Sequence, residues 1–305
     1  MGFLRLLEGL RHPIADTFFS IITYLGDETC FMALALILFW CVSKRRGYSL
    51  CAVGFSGIAV NQVLKLWFRI PRPWVTDPDF TIVESARAAA AGYSFPSGHT
   101  QNIVGTMGVI GLTTRRTWIR VICIIGAVLV PFSRMYLGVH TPLDVGVAFL
   151  TAAALVAVLW PFFRDEVSFQ TSARYVLMIL AALSALYTVF VLLYHFPADL
   201  DAENYAAGLK NGYVMIGCAL GLIVSYIYDK HVLNFDTRAP FIGQVLKLVL
   251  GLALIIGLRI VLKAPLNALF SGDAAANAVR YFLMVIFAGC IWPHTFPLFA
   301  RIGKK

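Results

Sequence analysis

Long apolar segments recur along the chain, separated by shorter polar connections. A helix that spans a bilayer needs about 20 mostly apolar residues, and these segments are close to that length. They lie at 29–43, 48–68, 98–114, 118–137, 142–163, 174–194, 211–229, 241–262 and 276–300. Because 29–43 and 98–114 are short, we expect them to tilt or to thin the bilayer locally. The pattern predicts an all-α polytopic bundle of about 8–9 transmembrane helices.

The first 28 residues show a different, amphipathic pattern. Apolar side chains recur at helical spacing, with charged residues between them. These apolar residues are Phe3, Leu4, Leu7, Leu10, Ile14, Phe18 and Ile21. We therefore predict an interfacial amphipathic helix over 1–28. The segment lacks the basic, apolar and small-residue order of a cleaved signal peptide, so we expect it to be retained.

Composition and charge placement narrow the class of protein further. Only 13% of the 305 residues are charged, against roughly 25% in soluble domains. The net charge of +9 could suggest a nucleic-acid partner, but the basic residues fall on alternate connections. They are Lys44, Arg45, Arg46, Arg115, Arg116, Arg120, Arg164, Arg174, Lys230, Arg238, Arg301, Lys304 and Lys305. This is the positive-inside pattern, which places those connections in the cytoplasm and predicts the lipid bilayer, not nucleic acid, as the partner.

The opposite connections then face away from the cytoplasm. They contain an acidic loop with Asp199, Asp201 and Glu203, and also the motifs described below. The six cysteines lie in or beside apolar segments, so no disulfide framework is predicted. The chain has no Asn-x-Ser/Thr sequon, which favours a bacterial source. We therefore expect a bacterial cell membrane, with the functional residues on its non-cytoplasmic side.

The motifs divide the chain unevenly. All of them lie within 29–165, whereas 166–305 contains four apolar segments and no comparable cluster. We predict an interfacial helix at 1–28, a catalytic helical core at 29–165 and an appended transmembrane unit of unknown role at 166–305. The connection 70–97 is long and rich in proline, and long structured loops of this kind are usually functional.

The first motif places cations at the outer end of an apolar helix. Lys65, Arg69 and Arg72 share a helical spacing, which Pro71 interrupts, and Pro73 restrains the backbone on the other side of Arg72. A restrained arginine can offer a planar bidentate fork to phosphate, and Lys65 can add a point charge. Interfacial cations that extend to the membrane surface would give the same pattern.

The second motif is Pro96-Ser97-Gly98-His99, which directly precedes an apolar run. Ser97 is predicted to be the N-cap of a helix, whose first backbone amides favour an anion. Gly98 would let a phosphate oxygen approach the backbone, and His99 could protonate a leaving oxygen. A Ser-Gly turn beside an interfacial histidine is also an ordinary structural feature.

The third motif is Ser133-Arg134, followed by His140 and then Asp144. Thr141 is a plausible N-cap, which would make Asp144 the carboxylate of a capping box. Asp144 could also accept a proton from one ring nitrogen of His140, which would leave the other nitrogen free to attack phosphorus. Arg134 would neutralise the charge that develops on the phosphoryl oxygens.

Together the motifs resemble the signature of the type 2 phosphatidic acid phosphatase superfamily. That superfamily includes lipid phosphate phosphatases, sphingosine-phosphate phosphatases, glucose-6-phosphatase and vanadium haloperoxidases. The resemblance covers roughly residues 29–165. It implies that His140 is the nucleophile, that Asp144 orients it and that His99 is the general acid. It further implies that no metal or other cofactor is needed and that phosphate is bound by Lys65, Arg72, Ser97, Gly98 and Arg134.

We therefore predict a metal-independent membrane enzyme that hydrolyses a lipid phosphate or pyrophosphate at the outer membrane face through a phosphohistidine. A lipid phosphotransferase that uses the same phosphoenzyme is the nearest alternative. A lipid transporter or scramblase with a headgroup-binding cation cluster belongs to another class. It would be expected to show paired broken helices, and it leaves His99, His140 and Asp144 unexplained.

Overall fold

The computed structural model describes residues 1–197 and 200–302, so Asp199, Lys304 and Lys305 lie outside the described residues. The regular structure of these residues is helical and contains no strand. The helices are α1 Gly2–Gly9, α2 Pro13–Thr23, α3 Glu28–Ile37, α4 Lys44–Phe68, α5 Pro73–Thr76, α6 Gly98–Thr113, α7 Thr117–Tyr136, α8 Pro142–Phe163, α9 Glu166–Leu193, α10 Ala202–Tyr228, α11 Phe241–Val261, α12 Lys263–Leu269, α13 Ala276–Ile286 and α14 Phe296–Arg301. Short π-helical turns continue α3, α10 and α13.

Several helices are long and apolar enough to cross a membrane. Among the described residues, seven segments meet this criterion by length and composition. They are Lys44–Thr76, Thr117–Tyr136, Pro142–Phe163, Glu166–Leu193, Ala202–Leu233, Phe241–Leu269 and Ala276–Arg301. Pro13–Gly26 and Glu28–Val42 meet it as a pair bent by 52°. The predicted all-α polytopic membrane bundle is confirmed, and the chain is an integral membrane protein. The predicted span at 98–114 corresponds to α6, which has only 16 residues and is not among these segments.

Residues 1–28 form two helices and a short turn, where the sequence analysis predicted one helix. The chain breaks before Pro13, whose ring cannot continue a helix, and the ring of His12 caps α2. The charged side of α1 packs on the loop between α4 and α6: Arg5 pairs with Asp77 at 2.7 Å, and Glu8 accepts from the amide of Thr81 at 2.8 Å. The polar residues of this segment therefore contact protein, while most of its apolar stripe is exposed.

The described residues group into two compact units. The first unit comprises Met1–Met32, Val53–Pro161 and Phe196–Tyr205. The second unit comprises Ala33–Ala52, Phe162–His195 and Ala206–Lys305. All the predicted site residues lie in the first unit. The predicted division of the chain into 1–28, 29–165 and 166–305 stays a prediction.

In the first unit, helices pack around α7. Helix α6 packs along it, and α1 and α2 also contact it. The turn Tyr24–Gly26 that follows α2 packs on α6. A side chain at Gly26 would lie 2.8 Å from the backbone oxygen of His99, so only glycine permits this approach. The N-terminal segment is therefore built against the start of α6.

Candidate active site

The end of α4 determines where the cations of the first motif lie. Helix α4 ends at Phe68, and Arg69 takes a left-handed conformation with φ of 49°. The Nη1 atom of Arg69 donates to the backbone oxygens of Leu66 and Trp67 at 3.1 and 3.0 Å. These are carbonyls of the last turn, which a helix alone leaves unsatisfied. Arg69 therefore has a helix-capping role, and Lys65 stands in the final turn of the helix.

Arg72 is held by backbone carbonyls of the loop. Its Nε donates to Gly92 O at 2.9 Å, its Nη2 donates to Ala91 O at 3.0 Å, and its Nη1 donates to Val139 O at 2.9 Å. Nη1 also lies 2.9 Å from Nε2 of His140. A guanidinium has five N–H donors, so these contacts engage four of them and fix its plane. The restraint predicted from the flanking prolines is thus reinforced by three carbonyls.

The turn between α7 and α8 carries His140 to this point. Gly138 has a φ of 80°, the left-handed conformation that glycine adopts without strain. Val139 N donates to Arg134 O at 3.1 Å, and Gly138 N donates to Met135 O at 3.0 Å. This pair of bonds is a Schellman motif, which ends α7. The spacing between Arg134 and His140 is therefore the length of one helix-ending turn.

Asp144 forms the predicted helix cap and also lies beside His140, and its role toward that ring stays a prediction. Its Oδ2 accepts from Thr141 N at 2.7 Å, while Thr141 Oγ1 accepts from Asp144 N at 3.2 Å, which completes the predicted capping box. The same Oδ2 atom lies 3.6 Å from Nδ1 of His140 and accepts from Ser94 Oγ at 2.6 Å. Three groups thus surround Oδ2, and together they fix the orientation of the Asp144 carboxylate.

The partners of His140 define its tautomer. Nη1 of Arg72 lies 2.9 Å from Nε2 and 3.5 Å from Nδ1, and because arginine can only donate, we assign the nearer Nε2 as the unprotonated nitrogen. The proton then lies on Nδ1, on the side of Asp144. Burial lowers the pKa of His140 well below its usual value, and the charges of Arg72, Arg134 and Lys65 lower it further. The ring is therefore neutral at pH 7, with a lone pair on Nε2.

The second motif opens α6 as predicted. Ser97 is the N-cap, and its Oγ accepts from Thr100 N at 3.4 Å. The amide of Ser97 donates to the backbone oxygen of Asp144 at 3.1 Å, which joins the second motif to the third. A side chain built at Gly98 would meet no atom within 4 Å, so there is space beside the first amides of the helix. His99 lies in this first turn.

A cavity of about 320 Å³ joins these groups. That volume is at the lower end of the range for small-molecule sites. Its polar lining includes Lys65, Arg72, His99, His140 and the carboxylate of Asp27. Lys65 Nζ donates to the backbone oxygen of Tyr93 at 2.6 Å, which leaves two of its three N–H donors for other partners. The cavity can therefore bind an anion between cations and two histidines.

Arg134 is fully buried, with 0% of its surface exposed. Its Nη1 donates to Thr23 Oγ1 at 2.9 Å. In residues 1–197 and 200–302, its Nε and Nη2 atoms have no hydrogen-bond partner. A charged group buried in this way is costly unless an acceptor completes its bonds. Arg134 is not among the described residues that line the cavity, but its charge helps to lower the pKa of His140, which does line it.

Sequence reasoning missed Asp27, which lines the cavity, and two polar residues, Ser94 and Thr23, which contact predicted site residues. Ser94 stands three residues before Ser97, and its contact with Asp144 could have been suspected only from its place beside the second motif. Thr23 lies far from every motif along the chain, and no pattern in the sequence singles it out. Both contacts arise from tertiary packing.

Comparison with family models gives two matches. The family described as "PAP2 superfamily" matches residues 46–168, a range that contains all the predicted site residues. The family described as "PAP2 superfamily phosphatase, transmembrane extension" matches residues 213–304. The two matched regions follow one another along the chain without overlap.

Several proteins with similar sequences are named as phosphatases. A probable sphingosine-1-phosphate phosphatase of Dictyostelium discoideum is 26% identical over 84% of this chain and 67% of its own length. An undecaprenyl-diphosphatase of Sulfolobus acidocaldarius is 36% identical over 36% of this chain, which spans about half (52%) of that protein. A phosphatidylglycerophosphatase B of Bacillus subtilis is 30% identical over 45% of this chain and 69% of its own length.

Proposed function

This chain belongs to the PAP2 superfamily, and from that premise we propose that it hydrolyses a membrane lipid phosphate or pyrophosphate through a phosphohistidine at His140. It is an enzyme of the lipid phosphate phosphatase type. The observation that carries the proposal is the environment of the His140 ring. Its unprotonated Nε2 faces the cationic cavity, and its protonated Nδ1 faces Asp144.

The first half-reaction uses these two ring nitrogens. When a phosphate enters the cavity, Arg72 transfers its Nη1 donor from Nε2 to a phosphoryl oxygen. The released Nε2 lone pair attacks phosphorus, and the bond between phosphorus and the leaving oxygen breaks. Burial and the charge of Arg134 lower the pKa of His99 to about 3, so the proton that His99 gives to that oxygen is one that it takes from the incoming monoanionic phosphate. The positive charge that forms on the His140 ring is stabilised by Asp144.

The second half-reaction returns the enzyme to its starting state. His99, now neutral, takes a proton from water as the water oxygen attacks phosphorus. The bond between phosphorus and Nε2 then breaks, and inorganic phosphate leaves. His99 passes its proton to the departing phosphate, which leaves both histidines neutral, so the protons balance over the cycle.

Cations and backbone amides stabilise the charge that shifts between these steps. Lys65, Arg72 and Arg134 surround the equatorial oxygens in this proposal, and the amides at Gly98 and His99 add donors at the start of α6. Preorganised donors of this kind are the main contribution of a protein to phosphoryl transfer. Their positions are set by the capped ends of α4, α6 and α7.

The substrate class follows from the membrane setting. The three relatives are named for three different lipid phosphates or diphosphates, so they support the class of substrate and not a particular member. The alternation of basic connections supports a cavity on the non-cytoplasmic side of a bacterial cell membrane. A lipid could then enter the site from the outer leaflet.

A substrate panel tests this function. Purified protein in mixed micelles is given phosphatidate, a long-chain-base phosphate, phosphatidylglycerol phosphate and an isoprenyl diphosphate, with excess chelator throughout. We expect phosphate release from at least one of them, and none with the matched His140→Ala variant. Phosphate release only when the chelator is left out, or transfer of the phosphoryl group to a second lipid in place of water, would contradict the proposed hydrolysis.

A further inference from the structure

The hydrogen bonds of Arg134 define which edge of its guanidinium can receive a ligand. Thr23 Oγ1 takes the Nη1 donor at 2.9 Å, and the two atoms without a partner among the described residues are Nε and Nη2. The N–H groups of Nε and Nη2 point in parallel from one side of the guanidinium plane. That edge is the one that arginine uses for side-on, bidentate bonds to two oxygens of a carboxylate or phosphate.

Thr23 is placed to hold the opposite end of this group. It is the last residue of α2, and only 5% of its surface is exposed. The turn Tyr24–Gly26 follows it directly and packs against the start of α6. Thr23 lies outside the matched range 46–168, so it belongs to none of the family's motifs.

The rest of α2 and the residues just before it are fixed to α7 close to Arg134. Tyr136 lies two residues beyond it, and its hydroxyl donates to Asp16 Oδ1 at 2.8 Å. Arg11 Nε donates to the backbone oxygen of Tyr136 at 3.0 Å, and the ring of Phe19 lies 4.4 Å from the Tyr136 ring, centroid to centroid. These contacts hold α2 against α7, so the distance between Thr23 and Arg134 is fixed by packing.

We propose that Thr23 is a positioning residue of the active site: it fixes the guanidinium of Arg134 so that the Nε and Nη2 edge binds two oxygens of the phosphoryl group. The inference rests on the proposed function, because it assigns a phosphoryl group to that edge. The N-terminal segment is thereby part of the catalytic apparatus and not only an interfacial helix.

The test compares two substitutions at Thr23 with one on the same helix. Thr23→Val removes the hydroxyl and keeps the branched shape, whereas Thr23→Ser keeps the hydroxyl. Thr17→Val is the matched control, because Thr17 is exposed and its hydroxyl donates only to Pro13 O within α2. We expect Thr23→Val to lower kcat/KM about 10- to 100-fold, as loss of a hydrogen bond to a charged group does. Thr23→Ser and Thr17→Val should stay within about 3-fold of the wild type.

A double-mutant cycle separates positioning from a general effect on the fold. In an Arg134→Lys background, Thr23→Val should cause little further loss, because the group that it positions has already been replaced. Inhibition by inorganic phosphate should weaken in Thr23→Val and not in Thr17→Val. Full additivity of the two substitutions, or a lower Tm with unchanged kcat/KM and unchanged phosphate inhibition, would overturn the proposal.

Phosphate binding also distinguishes this inference from the proposed function. It is measured as the rise in wild-type Tm with added inorganic phosphate, which requires no turnover. If phosphate stabilises the wild type and not Thr23→Val, yet no lipid phosphate is hydrolysed, the positioning role stands and the proposed hydrolysis fails. If hydrolysis and phosphate binding are the same in Thr23→Val as in the wild type, the positioning role fails and the proposed function stands.

Discussion

Two fully buried cations, one in each compact unit, have opposite surroundings. Lys247, in the second unit, donates from Nζ to Trp40 O at 2.8 Å and to Thr237 O at 3.0 Å. The same atom lies 4.5 Å from the centroid of the Phe296 ring. Arg134, in the first unit, donates to Thr23, and its Nε and Nη2 atoms find no partner in the part of the chain that the structure describes.

The difference shows how a buried charge indicates function. Lys247 is satisfied by carbonyls of its own fold, and the half-buried Lys44 is satisfied by Asp229 at 2.7 Å. Such cations need no ligand, and their loss leaves buried acceptors unpaired. The Nε and Nη2 atoms of Arg134 lack acceptors among the described residues, so a bound anion would lower the free energy of this buried charge. We therefore expect substitutions of Lys65, Arg72 or Arg134 to change activity, and matched substitutions in the second unit to change stability.

The largest contrast is expected between two histidines. His99→Ala should slow hydrolysis of an alkyl or lipid monophosphate about 10²- to 10⁴-fold, the usual contribution of a positioned general acid. Nitrophenyl phosphate should be affected much less in the phosphorylation step, because nitrophenolate leaves without a proton. His294→Ala is the control, since His294 contacts the hydroxyl of Tyr228 at 3.0 Å in the second unit.

The measurement for His99 is single-turnover phosphorylation with each leaving group. Steady-state rates are unsuitable, because His99 would also activate the water that clears the phosphoenzyme. Equal slowing of the first step for both substrates would mean that His99 only binds phosphate. A comparable loss in His294→Ala would contradict the assignment of catalysis to the first unit.

Arg134→Met and Lys247→Met test the central comparison with the same replacement. Arg134→Met should lower kcat/KM about 10²- to 10³-fold, as loss of one preorganised donor to a reacting oxygen does. Its Tm should be unchanged or higher, because an incompletely paired buried charge has been removed. Lys247→Met should keep kcat/KM per folded molecule and lower the free energy of unfolding by about 1–3 kcal/mol. The reverse assignment of the two effects would refute the comparison.

Two buried aspartates, one in each unit, extend the comparison of buried charges. Asp144→Asn should lower kcat on the order of 10²-fold, because the tautomer of His140 is no longer controlled. Ser94→Ala removes one of the bonds that direct Asp144 and should cost about 10-fold. Asp229→Asn should mainly lower Tm, since Asp229 pairs with Lys44. If Asp144→Asn lowers Tm and spares activity, the carboxylate is only the helix cap.

The smallest expected effect concerns pH. Burial and the neighbouring cations lower the pKa of His140, so the folded protein keeps this ring neutral below the usual value of about 6.5. Below about pH 6.5 the unfolded chain binds a proton at this ring, whereas the folded chain does not. The stability that depends on a neutral His140 is therefore fully present above about pH 6.5, and the free energy of unfolding falls as the pH is lowered. Carbon-13 NMR of labelled histidines, with His140→Ala for assignment, should show no titration of His140 near pH 6.5. A midpoint at or above that value would contradict the burial argument.

Local chemistry allowed much of the site to be predicted from the sequence. The cap at Ser97 and the capping box between Thr141 and Asp144 depend on residues within a few positions of one another. Pro71 and Pro73 correctly marked the end of α4. The apolar segments likewise gave the helical bundle, because span length is set by bilayer thickness.

Long-range packing accounts for what could not be predicted. The break before Pro13 follows a local rule, but the contacts of α1 with the loop at Asp77 and Thr81 join residues about seventy positions apart. Thr23 meets Arg134 across more than a hundred positions. Arg69 shared a spacing with Lys65 and Arg72 and instead caps α4, because its backbone leaves the helix. A single sequence contains no signal for contacts of this range.

The most direct test of the account is whether His140 carries the phosphoryl group. Wild-type protein is mixed rapidly with radiolabelled substrate and quenched in alkali, and the labelled peptide is identified by mass spectrometry. We predict acid-labile label on His140 that forms and decays no more slowly than turnover, is absent from His140→Ala and is present in Lys247→Met. Phosphate release from the wild type without any label on His140, or label retained in His140→Ala, would contradict it.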